Sequence, residues 1–577
     1  MSSGDEELAK DLGPLAALTI GVGTMIGAGI FVLPGAAITE AGSFAVISFV
    51  LGGAIALLTA LSASELGTAM PKSGGAYYYV NRGLGPLFGS IAGWANWLGL
   101  AFASAFYMVG FGQYIANIVG VTGGLDLGIV VIGWVKLVAL AGAALFVTVN
   151  YIGAKETGRL QNVIVILLVA ILAVFTTVGA LRADPANLPV ARGVTPMLTT
   201  TGLIFVSYLG FVQITSVAEE IQEPGKNLPR AVIGSVLLVT VIYALVLIVM
   251  AAAVEQGFIA GLADNEIAVV EVGRLVLGPI GAVALLIGGL LATASSANAS
   301  ILASSRINFA MGRDRIVTPE LNEIHPRFGT PYRAIGITGA LILVFIAVAP
   351  IETLASMGSV LHLVIYGLLN IALIVFRESN VEDYDPSYEV PLYPITPIVG
   401  MLVSFALIAF IAPEVIALSA VLVVGALLWY LLYARTRATE NGVLSEYILS
   451  RADRMPDTAV SAAASVQPDG GEFRVMVPLA NPANETDLIS LASAVAKQRG
   501  GTVDAVHIVT VPDQTALEYA ADHLEEHEED YHAVLDAAKA DAETFGVDIE
   551  THTIVSHRGV EEIFDAARTH DADMVVM

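Results

Sequence analysis

Apolar stretches of about 20 residues, the length that a helix needs to cross a bilayer, recur along this chain until residue 433 and then stop. Hydrophobic residues make up 56% of the 577 residues and charged residues only 14%, which excludes an ordinary soluble protein. The pattern predicts an α-helical polytopic membrane protein with twelve transmembrane helices. The predicted spans are 15–38, 43–69, 86–118, 128–150, 159–181, 200–221, 231–254, 276–304, 333–349, 353–376, 394–412 and 414–433.

Basic residues in the short loops predict the orientation, because loops on the cytoplasmic side carry the excess of Lys and Arg. With the N-terminus inside, the inside loops hold thirteen such residues and the outside loops hold three, Arg182, Arg192 and Arg274. The N-terminal sequence MSSGDEELAKDLGP is acidic, unlike the basic start of a cleaved secretory signal. We therefore expect a multi-pass protein of the cell membrane with both termini in the cytoplasm.

After Tyr433 the composition becomes that of a water-soluble segment, with 27 Asp and Glu against 10 Lys and Arg in residues 434–577. This change predicts a membrane domain at 1–433, a linker at 434–472 and a cytoplasmic domain at 473–577. Only 7 of the 27 basic residues in the whole chain are Lys. An acidic, lysine-poor surface is typical of proteins from a salt-saturated cytoplasm, as in a halophilic archaeon, and we favour that explanation over a cationic partner.

The soluble segment alternates between strand-like and helix-like patterns. FRVMVP (473–478), TVDAVHIVTVP (502–512) and VDIETHTIV (547–555) are predicted strands, and helices are predicted at 485–498 and 514–544. Alternation of this kind predicts a parallel α/β sheet. We interpret the cluster DHLEEHEEDYH (522–532) as the solvated face of a helix rather than a metal site. The chain has no cysteine, which excludes disulfides and Cys-ligated metals.

The first span weakens its own helix, because GVGTMIGAGIFVLPG (21–35) has four interior glycines, each costing roughly 0.5–1 kcal/mol relative to alanine. Three explanations compete. Gly23 and Gly27 form a GxxxG pair that would let a neighbouring helix approach closely. A simple Gly/Pro kink is the second explanation. The third is a helix interrupted around residues 26–29, which would leave backbone groups free to bind a ligand.

The third explanation predicts a second interruption in the sixth span, because transporters with discontinuous helices are built from two inverted halves of about five helices. The sixth span, GLIFVSYLGFVQITSVAEEIQEPGKNLPRA, carries Ser207, Gly210 and Gln213 where a lipid-facing helix would carry Leu or Val. A polar segment interrupted by glycine at the expected position favours discontinuous helices.

Such breaks predict a site for a zwitterionic α-amino acid. Free N–H groups at Gly27, Ala28 and Gly29 would donate to its carboxylate, assisted by the partial positive charge of a helix N-terminus. Carbonyl groups would accept hydrogen bonds from its ammonium group, and no ionised side chain would have to be buried. The predicted carbonyls are those of Ile26, Val206, Ser207 and Leu209.

These segments resemble the amino acid/polyamine/organocation (APC) transporter family. The resemblance rests on IGAGIFVLPG in the first span, SGGAYYYVNRGLGPLFGSIAGWANWLG (73–99), NYIGAKETGRLQN (150–162), AEEI in the sixth span and SSRINFAMGRDRIVTPELNEIHPRFGTP (304–331). It implies a 5+5 inverted repeat of the leucine-transporter type with discontinuous helices 1 and 6, two extra C-terminal helices, and secondary active transport of amino acids by alternating access rather than an enzymatic activity. The family's substrate-contacting backbone matches Ile26–Gly29 and Val206–Gly210.

Two positions depart from the family pattern. Many proton-coupled relatives carry a lysine where this chain has Leu168, so that coupling device is absent. Many relatives also carry an acidic residue where this chain has Val212, which favours neutral amino acids.

The coupling ion stays open between Na⁺ and H⁺. Thr293, Ser295 and Ser296 of the eighth span are candidate Na⁺ ligands. Alternatively, their hydroxyls bond back to carbonyls of their own helix. We interpret three polar residues of other spans, Glu65, His362 and Asn370, as structural in preference to the alternative that they relay protons.

The soluble segment resembles the universal stress protein family, whose members often bind adenine nucleotides. The usual Asp after the first strand is replaced by 478–480, Pro-Leu-Ala, and the phosphate loop would follow the strand at 574–577, where this sequence stops. We therefore expect an incomplete regulatory or dimerising module without a nucleotide, and no nucleic-acid partner.

Two other functions compete with amino acid transport. One is an amino acid sensor that binds its ligand without net transport. The other is ion transport of the cation–chloride cotransporter type, although the IGAGIF and AEE motifs favour amino acids over chloride.

Overall fold

The computed structural model divides the chain into two compact units, Met1–Pro468 and Asp469–Met577, which are described separately. The residues described are 12–438 except 73, 122, 127–130, 154–157, 256, 263–266, 380, 382 and 383; then 442–451, 455, 456, 458, 460, 461, 463, 474–479, 485–499, 501–510, 538–542, 544–556, 563, 566, 567, 572 and 574–577.

The first unit is almost entirely helical, as expected for apolar segments whose backbone groups must pair within the segment in lipid. Its helices are α1 Pro14–Met25, α2 Ala28–Ala41, α3 Ala45–Ala69, α4 Gly75–Leu84, α5 Pro86–Val119, α6 Trp134–Ile152, α7 Gly158–Ala180, α8 Val194–Ile204, α9 Phe211–Thr215, α10 Pro224–Ala252, α11 Ala268–Arg313, α12 Tyr332–Val348, α13 Ile351–Ser379, α14 Ile395–Ile408, α15 Pro413–Trp429 and α16 Val443–Ser450.

Nine helical stretches in the described part of the chain are long and apolar enough to cross a membrane. The first of them, Pro14–Ala69, runs from the start of α1 to the end of α3, and two further apolar helices, α12 and α14, are shorter. The first unit is therefore that of a multi-pass membrane protein.

Both predicted interruptions are present. Helix α1 ends at Met25 and α2 begins at Ala28, with Gly27 between them at φ −121° and ψ −141°. In the sixth span, α8 passes into a 3₁₀ turn at Phe205–Tyr208 before the short helix α9. The chain thus leaves the α-helical hydrogen-bond pattern twice inside apolar segments.

Two predicted spans have different bounds. The fourth begins at Trp134 rather than at 128, because β1 (Gly124–Asp126) pairs antiparallel with β2 (Val131–Gly133) immediately before it. The eighth is longer than 276–304: α11 continues to Arg313, where its small and polar residues pack against α5. Gly278, at φ 75° and ψ −170°, kinks α11 ahead of its long second part.

A buried carboxylate anchors the loop after α13. Glu65 on α3 is fully buried, and each of its oxygens lies 2.6 Å from a guanidinium nitrogen of Arg377. The Tyr384 hydroxyl donates to the same carboxylate at 2.8 Å and the Val390 N–H at 2.6 Å. These four donors support the structural interpretation of Glu65.

The segment just before α1 pairs with the chain that follows the sixth span. The Leu12 N–H donates to the Glu220 carbonyl at 2.9 Å, and the Gln222 N–H donates to the Leu12 carbonyl at 2.9 Å. This parallel bridge between Leu12 and Ile221 links the two discontinuous spans outside their breaks.

The second unit contains the predicted parallel sheet. Its strands are β3 Arg474–Leu479, β4 Thr502–Thr510, β5 Ile549–Ser556 and β6 Met574–Val575, in the order β5-β4-β3-β6 with every pair parallel. A helix at Glu485–Arg499 packs on the face that buries Val475 and Val477. Most of the predicted helix 514–544, including the cluster 522–532, lies outside the described residues.

Candidate substrate-binding site

The two helix breaks lie against each other. A Cβ atom built on Gly29 would lie 2.3 Å from the Ser207 hydroxyl oxygen, and one on Gly210 would lie 2.2 Å from the Thr24 hydroxyl oxygen. The Thr24 hydroxyl also donates to the Gly210 carbonyl at 3.2 Å. Glycine is required at both positions because any side chain would push the two spans apart. The structure therefore brings the predicted residues of the first and sixth spans together.

Two backbone donors on the α2 side of the first break are not used by the fold. Ala28 and Gly29 are the first residues of this 14-residue helix, and their N–H groups form no hydrogen bond within the described chain. The prediction for Gly27 is wrong, because its N–H donates to the Met25 carbonyl at 2.8 Å in a tight turn. The donors available to an anion are thus Ala28 and Gly29, at a helix end that carries partial positive charge.

The hydroxyl of Ser207 adds a third donor. Its side chain is fully buried, and its oxygen has no hydrogen-bond partner in the part of the chain that the structure describes. A buried hydroxyl without a partner costs about 1–3 kcal/mol, and such groups call for an explanation in a native structure. A polar ligand between Ser207 and the start of α2 would supply the missing partner.

Backbone acceptors of the predicted ammonium site are only weakly occupied. The Val206 carbonyl accepts from the Leu209 N–H at 3.4 Å, the Ser207 carbonyl from the Tyr243 hydroxyl at 3.3 Å, and the Leu209 carbonyl from the Tyr366 hydroxyl at 3.5 Å. These distances exceed the 2.7–3.2 Å typical of N–H···O bonds and, for the two tyrosines, the 2.5–3.0 Å typical of O–H···O bonds. The Ile26 carbonyl has no donor among the described residues. These oxygens retain capacity to accept from a cationic group.

Three tyrosines that sequence reasoning did not identify border the breaks. The Tyr243 hydroxyl donates to the Met25 and Ser207 carbonyls, so it joins the two spans. Tyr366 reaches Leu209 as described, and the Tyr107 ring lies 3.4 Å from a Cβ built on Gly27. A tyrosine in the middle of an apolar span was the available signal, because a buried phenol usually finds a polar partner.

Comparisons with known proteins identify the family of the chain. Residues 12–434 match the model of the amino acid permease family, and residues 473–577 match that of the universal stress protein family. The chain belongs to the amino acid permease family.

Among relatives of this permease, the branched-chain amino acid permease BcaP of Bacillus subtilis (strain 168) is 29% identical over 76% of this chain and 96% of its own. The serine/threonine exchanger SteT of the same strain is 28% identical over 70% of this chain and 92% of its own. A methylthioribose transporter of that strain is 29% identical over 76% and 96% of the two chains. The family and these relatives are transporters, not enzymes.

In the permease, the hydroxyls of the three candidate Na⁺ ligands donate to different partners. The Thr293 hydroxyl donates to the Gly289 and Leu290 carbonyls of its own helix at 2.8 and 3.0 Å. The Ser295 hydroxyl donates to the Gln161 side chain at 2.7 Å. Ser296 alone reaches the first span, where its hydroxyl donates to the Gly23 carbonyl at 3.2 Å. The alternative of helix back-bonding therefore describes Thr293.

The two positions that depart from the family pattern are apolar contacts in the permease. Leu168 is buried, and its side chain lies 3.5 Å from a Cβ built on Gly288. Val212 is buried one residue after Phe211. Neither position supplies a charge near the breaks.

Proposed function

We propose that this permease carries neutral amino acids across the cell membrane by secondary active transport with alternating access. The observation that carries the proposal is the pairing of opposite polar groups at the breaks. The free N–H groups of Ala28 and Gly29 and the unpartnered Ser207 hydroxyl fit a carboxylate, and the weakly occupied carbonyls at Ile26, Val206 and Leu209 fit an ammonium group. An α-amino acid carries both groups on its α-carbon.

A neutral substrate side chain is favoured by the charges nearby. Glu65 and His362 are the only Asp, Glu, His, Lys or Arg side chains buried in the described part of the first unit, and Glu65 is held by Arg377. A cationic or anionic substrate side chain would therefore lack a buried counter-ion at the breaks. Two of the relatives are named for branched-chain amino acids and for serine and threonine, all of which are neutral.

We further propose twelve spans arranged as a 5+5 inverted repeat followed by two helices. The nine long apolar stretches, the first of which contains two predicted spans, together with α12 and α14 are consistent with that number. In this arrangement both termini are cytoplasmic, the membrane domain covers 1–433, and the domain at 473–577 regulates transport or joins two copies. The driving ion is either Na⁺, for which Ser296 and the Gly23 carbonyl are the candidate ligands, or H⁺.

Transport by the full chain reconstituted in liposomes tests the proposal. We expect external L-[³H]leucine or L-[³H]serine to exchange with the same unlabelled amino acid inside, and L-[³H]arginine not to exchange. Binding of leucine or serine to the detergent-solubilised protein without any exchange would favour the sensor alternative. Exchange of arginine but not of the neutral amino acids would refute the proposed selectivity.

A further inference from the structure

An ionisable side chain buried in a membrane segment is expensive and therefore marks a functional site unless its charge is fully accounted for. The first unit has two such side chains other than tyrosine among its described residues, Glu65 and His362. Glu65 is accounted for, because four donors hold its carboxylate. His362, in the middle of α13, has no charged partner among the described side chains.

One hydrogen bond fixes the orientation of the His362 ring, and the other ring nitrogen has no hydrogen-bond partner in the described chain. Nδ1 lies 2.8 Å from the Gly358 carbonyl of the same helix, so we assign the proton of the neutral ring to Nδ1. Nε2 then carries a lone pair, and no donor in the described chain is bonded to it. A Cβ built on Gly99 of α5 would lie 2.7 Å from both Nδ1 and Cε1, so the ring occupies space that only a glycine leaves open.

Helix α13 contacts the break of the sixth span on both sides of His362. One turn before it, the Ser359 hydroxyl accepts from the Val206 N–H at 2.9 Å. One turn after it, the Tyr366 hydroxyl donates to the Leu209 carbonyl at 3.5 Å. The His362 and Tyr366 rings lie 6.0 Å apart at an interplanar angle of 72°. The Tyr366 side chain thus lies between His362 and the Leu209 carbonyl of the proposed ammonium site.

We propose that His362 is the proton-binding site through which this permease couples amino acid transport to H⁺, an inference that rests on the proposed transport function. A proton from water on one side of the membrane occupies the Nε2 lone pair. It leaves to water on the other side with the substrate, so one N–H bond is made and broken in each cycle. An O–H bond of hydronium breaks on the first side and one forms on the second, so the cycle balances.

Protonation at His362 would reach the substrate site through Tyr366. The two ring centroids lie 6.0 Å apart, so protonation of His362 would place a positive charge beside the Tyr366 phenol. We expect that charge to alter the hydrogen bond from the Tyr366 hydroxyl to the Leu209 carbonyl. A titratable phenol, Tyr107 on α5, interacts electrostatically with Tyr366. From the sixth span the apolar rings of Phe205 and Phe211 pack against Tyr366, with ring centroids 5.9 and 5.2 Å from that of Tyr366.

The test compares the full-length wild type with His362→Asn in proteoliposomes. Asparagine places an amide N–H near the position of Nδ1 and retains a donor for the Gly358 carbonyl, but it cannot be protonated. His325→Asn is the matched control, because His325 is the other histidine of the first unit and lies outside the helices. Two rates are measured for each protein: exchange of L-[³H]leucine or L-[³H]serine, and accumulation driven by a pH difference with the membrane potential held at zero.

For one proton per substrate, a pH difference of about one unit supports up to about tenfold accumulation. We expect the wild type and His325→Asn to accumulate substrate and to show substrate-dependent proton entry with a trapped pH dye. We expect His362→Asn to exchange substrate more slowly than the wild type, with no accumulation and no proton entry.

Accumulation by His362→Asn equal to that of the wild type would overturn the proposal. Exchange by the wild type without proton entry, or accumulation driven only by a Na⁺ gradient, would overturn it while leaving the transport function intact. Absence of both binding and exchange of every amino acid tested would instead refute the transport function. If His362→Asn loses exchange altogether, His362→Gln replaces it, and loss of exchange in both variants would assign His362 to packing alone.

Discussion

Replacing Ser207 with alanine should have opposite effects on the stability of the empty permease and on its affinity for substrate. The Ser207 hydroxyl is buried and has no partner in the described structure. Removing a polar group in that state relieves a desolvation cost, so we expect the free energy of unfolding of the empty protein to rise by up to about 1–2 kcal/mol. A serine that served only to support the fold would lose stability on the same change.

Affinity should fall because the hydroxyl is proposed to donate to the substrate carboxylate. A hydrogen bond to a charged group is worth about 1.5–3 kcal/mol, and each 1.4 kcal/mol is a factor of ten in Kd. We therefore expect Ser207→Ala to raise the Kd for leucine or serine by about 10- to 150-fold. Equilibrium binding of the ³H-labelled amino acid to purified protein measures this change, and thermal unfolding without substrate measures the stability.

Ser304→Ala is the matched control. Ser304 is also fully buried in a membrane helix, but its hydroxyl donates to the Trp97 carbonyl at 2.9 Å. Its replacement should lower the free energy of unfolding by about 0.5–1.5 kcal/mol and leave the Kd unchanged. If Ser207→Ala behaved like Ser304→Ala in both measurements, the assignment of Ser207 to the carboxylate site would be refuted.

Three further changes have expected outcomes. Glu65→Gln leaves the Arg377 guanidinium with the exposed Glu389 carboxylate at 3.7 Å and should cost about 1.5–3 kcal/mol, measured by thermal unfolding in detergent; a loss below about 1 kcal/mol would contradict a stabilising Glu65–Arg377 pair. Gly210→Ala places a Cβ 2.8 Å from the Met25 backbone nitrogen, so we expect the free energy of unfolding to fall by about 1–3 kcal/mol and transport to be lost. Adding Thr24→Ala should not restore transport; restoration would show that the clash is with the Thr24 side chain alone. Leu12→Pro removes the donor to the Glu220 carbonyl and should slow exchange more than Leu12→Ala, which keeps both hydrogen bonds; equal rates would show that the bridge is dispensable.

The sequence predicted those features that depend on local pattern. Long apolar runs predict membrane helices, and the glycines around Gly27 predicted where α1 stops, because few other residues tolerate such a break. The strands at 474–479, 502–510 and 549–556 followed from their alternation with polar and helical segments. In each case the signal lies within a window of 10 to 20 residues.

Features that depend on contacts between distant segments were not predicted. The bond from the Gly27 N–H to the Met25 carbonyl was not predicted, nor was the extension of α11 to Arg313, where Met311 packs against Gly93 of α5. Tyr243 and Tyr366 lie 36 and 157 residues from the carbonyls that they contact, so no local pattern connects them to the site. The partners of the candidate Na⁺ ligands were not predicted for a related reason, because helical spacing does not decide which neighbour each hydroxyl meets.

The pairing of Leu12 with Ile221 is made by main-chain atoms alone, through one donor and one acceptor on residue 12. Every amino acid except proline offers that same pair of groups. Any residue except proline at position 12 can therefore form this backbone pairing. A comparison of side chains would not detect the pairing, whereas the exclusion of proline from position 12 would indicate it.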